Sequence, residues 1–281
     1  MKKFLTLALG LTIVVSLHAA NVGFDDAGNP AYNADDANGG NDGNPANNTN
    51  GWVNGDNGGS GFGAWVLQGP GDNNVAHGGF FMGSSASNAG GSSGNINTAG
   101  RSWGMFANNG QTVSAIRPLT GLSLLVGQTI TLSIDNGFLD TGSSEGFGLQ
   151  TSGGVNRLEF FFTGGDANYR LSDSAGANLT PIGFTGNGLS FAFTLTGTDT
   201  YSLAVTPNGG STTFFGGTLA GVAGTGIDQL RFFDFNGGNN QGTNGDFFAN
   251  LLTVPEPSTY LAAGMALIGC AYLRRRRVRK A

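Results

Sequence analysis

The run Leu189-Ser190-Phe191-Ala192-Phe193-Thr194-Leu195-Thr196 decides the fold. Leu189, Phe191, Phe193 and Leu195 fall on one side of an extended chain and Ser190, Ala192, Thr194 and Thr196 on the other. That period of two predicts a strand with one buried and one wet face. Thr129 to Ile134 alternates in the same way, with Ile130, Leu132 and Ile134 inward, and Tyr201, Leu203 and Val205 repeat it. The runs Leu158 to Phe162, Leu230 to Phe235 and Phe247 to Val254 are apolar on both sides and predict central strands covered on both faces. Earlier strand-like stretches are Gly61 to Leu67 and Phe80 to Gly83, with a Ser/Gly/Asn loop from Ser84 to Gly94. From about Trp103 onward, short β-rich runs recur every 8–15 residues or so with Gly, Asn or Asp between them. About eleven or twelve strands and no amphipathic helix before Tyr260 predict an all-β protein, an antiparallel two-sheet sandwich of the jelly-roll or concanavalin-like kind.

Composition agrees. Of 281 residues 51 are Gly and 21 are Phe, and only 11% are charged. Disordered chains are charge-rich and aromatic-poor, which excludes wholesale disorder, and no Gly-X-Y period exists for a collagen helix. Residues 21–254 contain five arginines, no lysine and 17 acidic residues, a net charge of −12. Such a body cannot neutralise a phosphate backbone, so nucleic acid is excluded as a partner. It favours divalent cations instead.

The two ends carry the opposite charge. Residues 1–20 have Lys2 and Lys3, an apolar stretch from Phe4 to Leu17, and Ala19 and Ala20 at a cleavage point, which predicts a secretory signal. Residues 21–60 form an Asn/Gly/Asp-rich stretch, with 11 Asn between positions 21 and 57, and predict an irregular arm. The sandwich body is assigned to 61–254. The chain then runs Pro255-Glu256-Pro257, an apolar segment over about 258–273, and a basic tail at 274–281 with Arg274, Arg275, Arg276, Arg277, Arg279 and Lys280. The two prolines keep the first part extended. The apolar segment predicts a single short membrane helix, and the arginines predict a stop-transfer signal with the tail in the cytoplasm and the body outside.

This tripartite ending resembles the PEP-CTERM sorting signal of bacterial envelope and extracellular proteins, with Pro255, Glu256 and Pro257 matching its motif. The resemblance covers the last 27 or so residues and implies a substrate of an exosortase, a membrane processing enzyme. The same region is also catalogued as an ice-binding-protein C-terminal domain, a label for the shared tail that implies nothing for the body. The body resembles a recurrent PEP-CTERM protein body through Gly-Phe-Gly-Ala-Trp at 61–65, Gly-Arg-Ser-Trp-Gly at 100–104, Asp-Asn-Gly-Phe at 135–138 and Phe-Phe-Asp-Phe-Asn at 232–236. These bodies are similar in outline to concanavalin-like or carbohydrate-binding jelly rolls and imply no assigned activity.

Most catalytic chemistry fails on inventory. Outside the signal His77 is the sole histidine, and Cys270 falls in the apolar tail, so no second histidine is available for a zinc site, and a Ser–His–Asp triad would have to use His77, which no nucleophile elbow accompanies. Paired carboxylates are the remaining route, as in glycoside hydrolysis. The body's glutamates are Glu145 and Glu159, and Glu159 is expected to pair with Arg157 on one strand face. Structural calcium is a candidate at Asp25, Asp26, Asp35 and Asp36, with Asp42 and Asp56 nearby among Asn and Gly, although a solvated acidic loop has the same composition. For glycan contact Trp52, in the polar arm, is the surface candidate, whereas Trp65 and Trp103 have apolar surroundings and are expected in the core, and Tyr169 is a candidate by type alone. The reading is a non-enzymatic exported protein of the cell envelope or extracellular matrix, structural or adhesive within extracellular polysaccharide and without an obligatory cofactor. A lectin-like carbohydrate-binding module is the alternative, and a glycoside hydrolase is the third.

Overall fold

The computed structural model describes residues 21–32, 51–87, 96–121, 123–237 and 245–255. Leu189–Leu195 is strand β11, and Leu189, Phe191, Phe193 and Leu195 are buried while Ser190 is exposed. It pairs in register with β6 (Thr129–Asp135) on one side and β12 (Thr200–Pro207) on the other. Phe191 therefore lies between Leu132 and Val205, and Phe193 between Ile130 and Leu203, so one face of three strands is continuously apolar. This sheet continues from β12 to β13 (Thr213–Thr218), and from β6 through β15 (Phe247–Pro255) and β4 (Ser102–Ala107) to β3 (Gly78–Gly83). β1 (Asn21–Asp25) pairs with the C-terminal half of β15, while β4 pairs with its N-terminal half.

The second sheet has the order β10 (Gly176–Gly183), β9 (Asn168–Asp173), β8 (Asn156–Thr163), β7 (Ser144–Gln150), β14 (Gln229–Phe235), β5 (Thr112–Pro118) and β2 (Val66–Gln68). All pairings among these strands are antiparallel. The two sheets pack face to face as a sandwich. Phe191 of the first sheet meets Phe147 and Phe160 of the second edge-on, each at 4.9 Å between ring centroids. Trp52, Trp65 and Trp103 close the other part of the core, with Trp52 and Trp65 4.9 Å apart. Burying such rings supplies the main favourable term, roughly 25 cal/mol per Å² of apolar surface.

The fifteen strands among the described residues exceed the eleven or twelve expected. β10 and β13 are edge strands; β10, with Gly, Asn and Pro, has little propensity of its own and forms because a neighbour supplies the ladder. The predicted strand at Gly61 to Leu67 is displaced: Val66–Gln68 is the strand, and 61–65 runs irregularly past Leu119. Central positions for β8, β14 and β15 agree with their apolar runs.

The irregular arm expected over 21–60 needs correction. Asn21–Asp25 is a sheet strand, and residues 51–60 pack against it. Phe24 and Ser60 exchange backbone hydrogen bonds of 2.9 and 2.8 Å. The approach is possible because residue 59 is glycine at φ +70°, where an added Cβ would stand 2.0 Å from the Phe24 carbonyl oxygen. A buried clasp then fixes both segments to β5. Arg117 pairs with Asp25 at 2.6 Å, both side chains wholly buried, and donates to the carbonyls of Asp56, Gly58 and Gly63. Tyr32 donates to Asp25 and accepts from the Trp65 indole at 2.9 Å. The described residues fall in one compact unit. Among the described residues no helix is long and apolar enough to cross a membrane; the expected signal at 1–20 and membrane helix at 258–273 lie outside them.

Candidate functional site

The clasp removes two of the residues expected at a surface. Trp52 is 1% exposed and packs edge-on against Trp65 and Phe80, so it presents no face to a glycan. Its polar sequence neighbours hid an indole that fills the core. Asp25 is consumed by Arg117 and Tyr32, which excludes it as an open calcium ligand; burial raises its carboxyl above the usual range despite both partners. Asp26 accepts from the Gly28 amide at 2.7 Å, a local turn contact. Asp35 and Asp36 lie outside the described residues, as do Glu256, Pro257 and the basic residues Arg274, Arg275, Arg276, Arg277, Arg279 and Lys280. Pro255 is the last residue of β15.

Trp65, Trp103 and Tyr169 are all buried. His77 sits in an exposed turn and contacts Asp72 at 2.7 Å, with no nucleophile beside it among its contacts. Glu159 does not pair with Arg157. The two share the outer face of β8, but Arg157 is held by Asp199 and by the carbonyls of Ala220 and Val222, and Glu159 faces Arg231 at 3.9 Å. Two cavities of about 260 and 270 Å³ flank Leu124, and neither has a titratable side chain on its wall.

The unexpected feature is a group of buried carboxylates at one end of the sandwich. β7 sends Leu149, Phe147 and then Glu145 inward, and β14 sends Leu230, Phe232 and then Asp234 inward. The two core rows thus end in acids that are direct cross-strand partners, Glu145 opposite Asp234. Glu145 is 1% exposed and Asp234 0%. Neither carboxylate oxygen of Glu145 has a hydrogen-bond partner at hydrogen-bonding geometry, and the Gly137 amide that faces it offsets its burial only in part. Asp234 Oδ1 accepts from the Gly237 amide at 2.8 Å, and Oδ2 is unpaired. Burial, then the charges of Asp234, Asp246 and Asp135, raise the Glu145 carboxyl well above its ordinary range. Burial and Asp246 do the same for Asp234, and burial alone raises Asp246 to about 7. Asp135 ends β6 and is 1% exposed. Among the described residues no three carboxylate, imidazole or thiol groups already stand together as a metal site. The sequence signal for this group was an acid, Asp234, in the otherwise apolar inward row of Leu230 and Phe232.

Comparison with known proteins adds the following. No curated protein matches the sequence. Among solved structures the chain is similar to a carbohydrate esterase from the Shiga toxin-encoding bacteriophage phi24B, at 15% identity and TM-score 0.44 over 68% of this chain and 88% of that one. It is similar to the PL-14 alginate lyase of Aplysia kurodai at 13% identity and TM-score 0.40, over 60% of this chain and 87% of the lyase. It is also similar to the galectin LEC-6 of Caenorhabditis elegans at 14% identity and TM-score 0.34, over 50% and 89% of the two chains. Likenesses this distant carry no argument about activity. Residues 253–277 match the family model of the PEP-CTERM protein-sorting motif, so the match begins inside β15. The chain therefore carries a PEP-CTERM sorting motif behind a β-sandwich, which implies an exported protein processed by an exosortase.

Proposed function

We propose that this chain is an exported cell-envelope or extracellular-matrix protein whose jelly-roll sandwich does structural or adhesive work within extracellular polysaccharide, without turning over a substrate. One observation carries the reading: the sorting match begins at Thr253, within a strand that lies at the middle of a sheet. Val254 is buried and Thr253 shares a 2.6 Å hydroxyl contact with Thr131, so the body runs into the sorting signal without a linker. A cut on the C-terminal side of the motif leaves every ladder of β15 in place. In this reading residues 1–20 direct export, 258–273 span the membrane, and the arginines that follow hold the tail inside until processing. Glu159 faces Arg231 at 3.9 Å, which supports a structural role for that glutamate.

The test follows the full chain in the producing cell. Wild-type protein is expected in the polysaccharide-bearing surface fraction, trimmed at its C-terminal end. Replacing Pro255, Glu256 and Pro257 together by alanine is expected to leave it untrimmed in the membrane fraction. Trimmed wild-type protein that washes free of the polysaccharide would refute the adhesive role, and identical sizes for the two proteins would refute the processing.

A further inference from the structure

Four acids, Asp135, Glu145, Asp234 and Asp246, are at most 8% exposed and gather where β6, β7, β14 and the start of β15 meet. Buried carboxylates require a counter-charge, hydrogen bonds or protons. Hydrogen bonds do not suffice, because both oxygens of Glu145 and Oδ2 of Asp234 have none. No basic side chain of the body is free to help. Arg117 is bound to Asp25, Arg157 to Asp199, Arg170 to Asp166, and Arg231 faces Glu159. Arg101 donates to the carbonyls of Ala27, Gly28 and Asn29, and residues 21–254 contain no lysine. His77, the body's only histidine, faces Asp72. Among the described residues, then, no hydrogen bond and no positive charge compensates the two oxygens of Glu145 or Oδ2 of Asp234.

Both acids close on the turn that follows β14: a Cβ built on Gly237 would stand 2.3 Å from Glu145 Oε1 and 2.7 Å from Asp234 Oδ1, so one oxygen from each of two adjacent strands lies beside the Gly237 backbone. Like charges directly opposite on a sheet destabilise it unless something lies between them. We propose that Glu145 and Asp234 hold a divalent cation of the calcium class, with Asp135 and Asp246 supplying surrounding negative charge. The donors are all oxygen, with no imidazole or thiolate, which suits a hard cation with a flexible shell that water can complete. The site is distinct from the acidic stretch near the N-terminal end of the body, where Asp25 is already spent on Arg117.

The experiment is calcium titration of the purified, chelator-stripped full chain at pH 7.5, read by calorimetry and by thermal unfolding. Saturable binding of one Ca²⁺ per chain and a rise of about 5 °C or more in Tm are expected. Glu145→Gln and Asp234→Asn are each expected to abolish that response. Both amides keep the side-chain volume and remove a buried charge, so in chelator these variants should melt no lower than the wild type, which separates loss of binding from loss of fold. Should either fail to fold, Asp246→Asn keeps both ligands and is expected to weaken Ca²⁺ by about tenfold through lost charge alone. No calcium-dependent shift in the wild type would overturn the proposal and leave protons as the compensation. Undiminished binding in Glu145→Gln and Asp234→Asn, or in Asp246→Asn if they do not fold, would overturn it by placing the ion elsewhere. Neither result touches the export reading, which rests on residues 253–277.

Discussion

Arg117→Met is the substitution that best tests the clasp. The guanidinium is wholly buried, lies 5.0 Å from the Trp65 ring and 5.6 Å from the Phe62 ring, pairs with Asp25 at 2.6 Å, and satisfies three backbone carbonyls. Methionine keeps much of the packing and none of the donors. Removing one partner of a buried ion pair costs about 3–5 kcal/mol, because the remaining carboxylate is left uncompensated. The carbonyls of Asp56, Gly58 and Gly63 each lose a donor as well, at about 1 kcal/mol or more apiece if they stay dry. These losses overlap, since 51–60 can loosen and admit water, so about 4 kcal/mol is the expected total. That is a large share of the 5–15 kcal/mol typical of a folded domain. Urea denaturation of the full chain measures it, and limited proteolysis locates it, with new cleavage expected within 51–60. The double variant Asp25→Asn/Arg117→Met should recover at least about 1.5 kcal/mol relative to the sum of the singles, because it removes the stranded charge. A cost below about 1 kcal/mol for Arg117→Met, or additive singles, would refute the claim that this pair ties the N-terminal segments to the sandwich.

Three further outcomes are expected. In chelator the wild-type chain should lose stability as pH rises from about 4 through about 7: Glu145, Asp234 and Asp246 have folded carboxyl pKa values above their unfolded ones, so the folded state holds protons that the unfolded chain has released. Melting temperatures across that range check the sign, and a rise instead would contradict it. Phe191→Ala should cost about 3–5 kcal/mol in urea denaturation, since that ring bridges the sheets through Phe147 and Phe160 and its loss leaves a cavity that both must line. Leu251→Gly should stabilise the chain by up to about 1 kcal/mol, because Leu251 stands at φ +56° with its side chain 40% exposed in the irregular stretch of β15; a lower Tm would show that its packing outweighs the strain.

Local pattern was a reliable guide wherever one strand face was apolar over several residues. Leu189 to Leu195 and Thr129 to Ile134 alternate, and both form strands with the expected residues inward. Register is strongly specified in such strands, because a slip of one residue would turn the whole apolar row to solvent. Edge strands were less legible. Gly176–Gly183 has little propensity of its own and takes its form from β9.

By itself, then, the sequence determined the sandwich class, from its period of two, and the sorting tail, whose Pro-Glu-Pro, apolar and basic parts are contiguous. Each is a signal confined to neighbouring residues. Tertiary structure alone decided the fate of Trp52, whose Gly, Asn and Asp neighbours suggested a solvated loop while Trp65 and Trp103 awaited it across the fold. It alone decided that Asp25 belongs to Arg117 and that Glu159 faces Arg231 in place of Arg157. It alone brought Glu145 opposite Asp234. A charge's cost and its partner depend on what surrounds it in space, and in an antiparallel sandwich those surroundings come from strands far apart along the chain.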